Sequence, residues 1–113
     1  MPFISTKTNV SVSKEQELRL KTEFGKAIEL IPGKSERWLM LSFSDSERMW
    51  FVGDDAPLAY LSVKLFGAAS DSAYDALTAK LTEIVSQELD IPSSRIYVKY
   101  EEIDHWGWNG SNF

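Results

Sequence analysis

The stretch PLAYLSVKLFG, residues 57–67, decides the fold because a second series of strand, helix and strand begins there, after a first series in the preceding residues. A proline followed by an apolar-rich run predicts a β-strand. Ser72, with Asp75 three residues later, predicts the start of a helix that ends at the Ile-Pro pair 91–92. IYVKY, residues 96–100, predicts the next strand. This half of the chain therefore predicts a strand, a helix and a second strand.

The first half of the chain carries the same order of elements. Residues 3–10 predict a short strand in which the polar/apolar alternation is only partly kept. Ser13 and Gln16 form a capping-box pattern, which predicts a helix that the Pro-Gly pair at 32–33 stops. WLMLSF, residues 38–43, predicts the second strand. Both predicted helices carry an apolar face, which comprises Leu20, Phe24, Ala27, Ile28 and Ile31 in the first and Tyr74, Leu77, Leu81, Ile84, Val85 and Leu89 in the second.

The two halves align at three points, which indicates an internal duplication. The pseudo-repeats cover residues 2–52 and 57–103 of a single domain, residues 1–113. The aligned points are Pro2 with Pro57, the Ile-Pro pair at 31–32 with that at 91–92, and Arg37-Trp38 with Arg95-Ile96. A strand–helix–strand unit carries parallel strands. Two such units predict an α+β, two-layer fold: a tandem βαβ repeat whose four-stranded mixed sheet has both helices on one face.

One face of the predicted sheet has no helix, yet the strands are rich in apolar residues: Leu39, Leu41, Leu61, Val63, Leu65, Ile96 and Val98. A monomer would expose part of this set as a large apolar patch. The sequence therefore predicts an oligomer in which the helix-free faces meet. MWFV at 49–52, as a short third strand, and WGW at 106–108 are expected to extend the sheets of neighbouring subunits and cover their edges.

Composition removes several classes of function. The 113 residues include no cysteine, which excludes disulfides, thiolate metal sites and thiol nucleophiles. His105 is the only histidine, so no metal site is predicted, and it is interpreted as structural or solvent-facing. A net charge of −5 offers no basic stripe for nucleic acid, and no apolar run is long enough to span a membrane. Without a signal-peptide pattern the expected location is the cytoplasm, with secretion by an unconventional route left open.

Pro2 follows the first methionine and opens a predicted strand. When Met1 is removed, Pro2 becomes a free secondary amine, and an α-amino group has an ordinary pKa of about 7.7–8.0. Burial and a nearby cation both disfavour the charged amine and lower this pKa. An amine that is neutral at pH 7 can take a proton from the carbon next to a carbonyl and return it elsewhere. Many chains also begin Met-Pro without any such role.

Five stretches occur together in this chain: MPFISTKTNV at 1–10, PGK at 32–34, PLAYLSVKLFG at 57–67, RIYVKY at 95–100 and WGWNGSNF at 106–113. In this order and spacing they resemble the macrophage migration inhibitory factor family of the tautomerase superfamily. The resemblance implies a homotrimer whose three four-stranded sheets form a central barrel surrounded by six helices, with active sites between subunits. It implies keto–enol tautomerisation of phenylpyruvate-like 2-oxo acids, and of dopachrome-type model substrates, without a cofactor.

The resemblance also implies roles for single residues. Pro2 stands at the position of the catalytic base. Lys34 matches a lysine that binds the substrate carboxylate, where its charge would also stabilise an enolate. The backbone N–H of Phe66 is expected to donate a hydrogen bond to the substrate, and Tyr97 matches a tyrosine that enters the site from a neighbouring subunit. Each of these residues also suits an ordinary structural or surface role.

Three further predicted substrate-binding residues depart from the residues common in the family. Lys99 either adds a second cation to the site or pairs with Glu101 or Glu102. Trp38 and Trp106 either line the rim of the pocket, where they suit a flat aryl substrate, or pack at a subunit interface.

Two other functions are compatible with parts of the sequence. A secreted, cytokine-like interaction protein with weak or vestigial activity is the alternative, and its receptor leaves no motif in the sequence. Dehalogenation-like hydration or decarboxylation generally needs an arginine-rich site, which Arg37 and Arg95 do not obviously supply. Leu58 and Leu61 stand where some relatives carry a Cys-x-x-Cys pair, so thiol–disulfide activity is excluded.

Overall fold

The computed structural model describes residues Met1–Phe113. The main sheet contains β1 (Pro2–Thr8), β2 (Met40–Ser44), β3 (Ala59–Phe66) and β4 (Ile96–Ile103). The helices are α1 (Lys14–Ala27) and α2 (Asp71–Leu89). The C-terminal strands β5 (Gly107–Trp108) and β6 (Ser111–Asn112) form a separate hairpin. Three 3₁₀ turns lie at Ile28–Leu30, Glu36–Trp38 and Ser93–Arg95.

The strand order β2-β1-β3-β4 confirms the tandem βαβ plan and the mixed sheet. β1 runs parallel to β2 with α1 between them in the chain, and β3 runs parallel to β4 with α2 between them. The two units meet where β1 pairs antiparallel with β3. Because parallel strands need a long crossover connection, each helix returns the chain to the starting edge of its own unit. No helix is both long and apolar enough to cross a membrane.

The first helix begins as the sequence predicts, and the second does not. The Ser13 side chain accepts the Gln16 N–H at 3.1 Å, and the Gln16 side chain accepts the Ser13 N–H at 2.9 Å, which completes the capping box. The prediction that α2 begins at Ser72 is wrong. Ser70 caps this helix by accepting the Ala73 N–H at 3.1 Å, so the first turn already includes Ser72.

The helix-free face of the sheet mixes polar with aromatic and apolar side chains, so the prediction that it exposes the apolar strand residues is wrong. The apolar strand residues of the sequence analysis alternate with polar ones and pack into, or against, the core beneath the helices. Leu61, Val63 and Leu65 are completely buried there. The opposite face instead carries Phe3, Ser5, Lys7, Met40, Ser42, Tyr60, Ser62, Lys64, Phe66, Tyr97, Lys99, Glu101 and Ile103. The apolar strand residues named in the sequence analysis therefore do not form an exposed face.

The segment MWFV does not form the short strand predicted for it. Phe51 and Asp54 exchange backbone hydrogen bonds of 2.9 and 3.2 Å, which closes a tight turn over Val52 and Gly53. Both turn residues have positive φ, 52° and 79°, as a tight hairpin turn of this hand requires. The predicted strand fails within one chain because the backbone pairs with itself across this turn. WGW likewise contributes to the β5–β6 hairpin rather than to the main sheet.

Candidate active site

The start of β1 and the end of β3 lie side by side. Pro2 is buried and pairs with Leu65, and the backbone N–H of Phe66 donates to the Met1 carbonyl at 3.1 Å. The antiparallel register therefore brings the first residues of the chain beside Phe66, more than sixty positions away in sequence. The predicted base and the predicted backbone donor are neighbours because of this strand pairing.

Lys34 reaches the same place from the segment between α1 and β2. Its backbone N–H donates to the Ile31 carbonyl at 3.1 Å, and Gly33 in this turn has a φ of 83°, which glycine adopts without strain. The Lys34 Nζ donates to the carbonyl of Phe66 at 2.9 Å. The turn thus places the ammonium group of Lys34 beside Phe66, whose N–H contacts Met1.

The electrostatics of the terminal amine follow from these contacts. The pKa of the Met1 amine is lowered from its ordinary value of 8.0 to about 6, first by burial and then by the charge of Lys34 and a hydrogen bond with its side chain. Both effects disfavour the ammonium form, as expected for an amine that is partly desolvated beside a cation. An amine at this end of the sheet is therefore mostly neutral at pH 7.

An aromatic pocket opens beside the amine, with a volume of about 340 Å³. Met1, Trp38, Phe66, Trp108 and Phe113 line it. Trp38 packs edge-on against Trp108 with ring centroids 5.1 Å apart, and Phe66 lies 5.5 Å from Phe113. Aromatic walls therefore enclose a pocket that Met1 and Phe66 line, and Lys34 contacts the carbonyl of Phe66 beside it.

The tail supplies two of these walls, although neither residue was named in the sequence analysis. The aromatic composition of WGWNGSNF is a sequence signal for such walls, and it does not distinguish Trp108 from Trp106. Trp106 lies outside the pocket lining, and its carbonyl accepts the Phe113 N–H at 3.1 Å, which holds the hairpin closed. Trp38 lies in the 3₁₀ turn before β2 rather than in the strand predicted for it.

Tyr97 and Lys99 lie far from this pocket in the same chain. Tyr97 pairs with Tyr60 at the start of β3, whereas Pro2 pairs with Leu65 near its end. This five-residue separation corresponds to about 17 Å along the strand. A single chain therefore does not bring Tyr97 to the amine, and Lys99, which pairs with Ser62, lies about 10 Å along the strand from Leu65.

These two residues line a second, larger cavity of about 500 Å³. Its walls include Trp50, Phe51, Leu58 and Tyr60. Lys99 donates to Glu101 at 3.3 Å, and hydrogen bonds with Tyr60 first and Glu101 second raise its pKa. His105 is exposed in the turn before β5 and contacts neither cavity.

The tandem βαβ sheet with its two helices is the fold of macrophage migration inhibitory factor proteins of known structure. The chain belongs to the macrophage migration inhibitory factor family, because the family model described as Macrophage migration inhibitory factor (MIF) matches residues 1–113. Family and fold together support an enzyme of the isomerase, or tautomerase, kind.

Individual relatives are similar over nearly their whole length. The crystal structure of Leishmania major MIF2 is 35% identical, with a TM-score of 0.94, and the match covers 100% of this chain and 97% of that one. A macrophage migration inhibitory factor homologue from Prochlorococcus marinus is 32% identical, with a TM-score of 0.89 and 98% of both chains covered. Macrophage migration inhibitory factor of Xenopus laevis is 26% identical, with 100% of this chain and 99% of the relative covered.

Proposed function

We propose that this chain is a cofactor-independent keto–enol tautomerase of phenylpyruvate-like 2-oxo acids, with dopachrome-type compounds as model substrates and the Pro2 amine as the base. The observation that carries the proposal is the terminal amine, with a pKa lowered to about 6, beside Lys34 and an aromatic pocket. When the pKa of a base lies near the working pH, enough of the base is neutral to accept a proton, and its protonated form is acidic enough to return that proton.

Removal of Met1 is required for this role, and the structure indicates what it would release. Met1 lines the pocket, and its carbonyl occupies the hydrogen-bond donor of Phe66. Without Met1, the Pro2 nitrogen becomes the terminal amine, and the Phe66 N–H becomes free to donate to a substrate oxygen. Pro2 is more deeply buried than Met1, so the same desolvation applies to its amine.

The reaction then needs only proton transfers. The neutral Pro2 amine takes a proton from the carbon next to the substrate carbonyl, and the bonding electrons move toward oxygen to give an enolate. Lys34 binds the carboxylate and stabilises the negative charge that develops. The protonated amine returns the proton to the enolate oxygen, which gives the enol, and the reverse sequence gives the ketone. The aromatic walls, including Trp38, suit the aryl ring of the substrate.

We propose a homotrimer as the active form, since one chain places Tyr97 at the opposite end of β3 from the amine and Lys99 beside Ser62 in the middle of that strand. A neighbouring subunit that presents its Tyr97 and Lys99 at the pocket mouth would complete the site with a phenol and a second cation. Trp106 would then act through the tail hairpin that it holds, rather than by touching the substrate.

The test is enol–keto conversion of phenylpyruvate by chain whose Met1 removal has been verified by mass spectrometry. Pro2→Gly keeps a terminal amine but loses the ring. Positioned bases contribute roughly 10²–10⁴-fold to the rate, and because the glycine amine retains part of this contribution, we expect a loss on the order of 10- to 100-fold. Pro92→Gly is the matched control, because Pro92 is exposed and lines neither cavity, and its carbonyl, which accepts the Arg95 N–H at 2.9 Å, is retained in glycine.

Sedimentation of the Pro2→Gly variant should match wild type, so that a lost assembly is not mistaken for a lost base. Wild-type activity in Pro2→Gly would remove Pro2 from the mechanism. A processed wild-type trimer that does not convert phenylpyruvate would instead favour the cytokine-like interaction protein.

A further inference from the structure

Arg95 is the most fully paired cation of the chain, and no role in the proposed reaction uses it. It ends the 3₁₀ turn that leads into β4, and only 13% of its side chain is exposed. Its guanidinium donates to the carbonyls of Pro57 at 3.0 Å and Ala56 at 3.1 Å, and pairs with the Asp54 carboxylate at 2.9 Å. The Arg95 guanidinium therefore holds the loop that precedes β3 in place through three of its residues.

The loop that Arg95 fastens carries Phe51 at its other end. Phe51 and Asp54 are already joined by two backbone hydrogen bonds, so holding Asp54 also holds Phe51. The Arg95 guanidinium lies 5.4 Å from the centre of the Phe51 ring, within the range of a cation–π contact. The position of the Phe51 ring is thus set by Arg95 both directly and through the loop.

Phe51 is in turn the aromatic neighbour of Tyr97. The two rings pack edge-on, with centroids 5.0 Å apart and planes at 75°. Pairing with Tyr60 fixes the backbone of Tyr97, but 60% of the tyrosine is exposed, so strand pairing leaves its ring free to rotate. The Phe51 ring is what restricts that rotation.

We propose that Arg95 is a positioning residue: it clamps the 51–57 loop so that Phe51 holds the Tyr97 ring in the orientation that meets the substrate. The inference deepens the proposed function and rests on it, since Tyr97 contacts substrate only in that function. Lysine cannot replace arginine here, because one ammonium cannot spread planar donors over two carbonyls and a carboxylate while stacking on a ring.

Arg95→Lys tests the clamp while keeping the charge, and Arg48→Lys is the matched control. Arg48 is exposed on the same connection and makes no salt bridge or side-chain hydrogen bond. A ring that binds ground state and transition state equally affects KM rather than kcat. We expect Arg95→Lys to raise KM for phenylpyruvate about tenfold, with kcat within about twofold, as small displacements at a distance can do.

A double-variant comparison separates positioning from general stability. In a Tyr97→Ala background, Arg95→Lys should leave KM unchanged, because the ring that it positions is already absent. Phe51→Leu keeps the arginine and the apolar volume but removes the ring contact, and it should raise KM as Arg95→Lys does. A KM increase that persists in the Tyr97→Ala background would overturn the proposal.

Aromatic NMR gives a readout that needs no activity. Nuclear Overhauser contacts between the Phe51 and Tyr97 rings should be present in wild type and in Arg48→Lys, and lost in Arg95→Lys. If they persist in Arg95→Lys, the clamp is refuted whether or not the chain is a tautomerase. If they are lost while KM stays constant in an enzyme that still requires Pro2, the clamp exists but the role in substrate binding is refuted.

Discussion

Replacing Lys34 by methionine should raise the pKa of the terminal amine, and the structure bounds by how much. In the wild-type chain this pKa is lowered from 8.0 to about 6, with burial as the largest cause and Lys34 as the second. The substitution removes the charge and the hydrogen bond of Lys34 but leaves the burial. The pKa should therefore move to a value between about 6 and 8.0 without reaching 8.0.

The consequence for a base depends on pH. An amine with a pKa of about 6 is roughly 90% neutral at pH 7, and one with a pKa of about 7 is roughly half neutral. At pH 6 the same change lowers the neutral fraction from about one half to roughly one tenth. In the processed chain, where Pro2 carries the amine, the acid limb of kcat/KM should accordingly shift to higher pH in Lys34→Met.

The direct assay is an NMR titration of the terminal residue in wild type, in Lys34→Met and in Lys21→Met. Lys21 is an exposed lysine of α1 without a salt bridge, so its replacement controls for the loss of one positive charge. An amine pKa near 8.0 in wild type, or equal values in wild type and Lys34→Met, would refute the electrostatic basis of the site.

The same lowered pKa makes a prediction about stability. Between about pH 6 and pH 8 the unfolded chain keeps the proton on its amine while the folded chain releases it. Because the unfolded state binds more protons in this window, the contribution of the amine to the free energy of unfolding rises with pH and is lost on acidification through pH 6. Lys34→Met raises the lower limit of this pH range, because it raises the pKa of the amine in the folded chain. Urea titrations at several pH values measure the resulting change in the free energy of unfolding.

Two further predictions concern the frame of the site. Ser70→Ala should lower the free energy of unfolding by about 1 kcal/mol, because it removes the cap of α2, whereas Ser72→Ala should stay within about 0.5 kcal/mol; equal costs in urea denaturation would contradict the assigned cap. Leu81→Ala in the core should cost about 2–5 kcal/mol, against less than about 0.5 kcal/mol for exposed Leu18→Ala. A thermal melt of Leu81→Ala that matches wild type would show that this core position is misplaced.

The elements predicted correctly are those that local chemistry determines. The capping box at Ser13 and Gln16 needs only residues three positions apart, and it was predicted down to its hydrogen bonds. The prediction that Ser72 caps α2 also used only local sequence, and it was wrong because Ser70 and Ser72 both carry a hydroxyl and both precede the apolar pattern of the helix. Which serine caps depends on where the backbone leaves β3, and that is decided by packing rather than by the serine itself.

The face of the sheet that an apolar residue occupies was the main error in the fold. The number of apolar residues across all strands predicted an apolar helix-free face. Leu61, Val63 and Leu65 occupy alternate positions, however, and therefore all lie on the face that packs against the helices. Composition cannot make this distinction, whereas period-two alternation within each strand can. Gly53 signals that a turn follows MWFV, but the turn already includes Val52, because a positive φ is rare for a β-branched residue and is not expected there.

The site shows why residues can be nominated from sequence when their arrangement cannot. Pro2, Lys34 and Phe66 meet because one antiparallel register joins the start of β1 to the end of β3. The parallel pairing of β3 with β4 places Tyr97 beside Tyr60 at the other end of β3, about 17 Å away, which no side chain spans. If Tyr97 and Pro2 serve one reaction, the chain cannot perform it alone. The assembly would then be part of the active site, and dilution below the dissociation constant of the assembly should abolish activity.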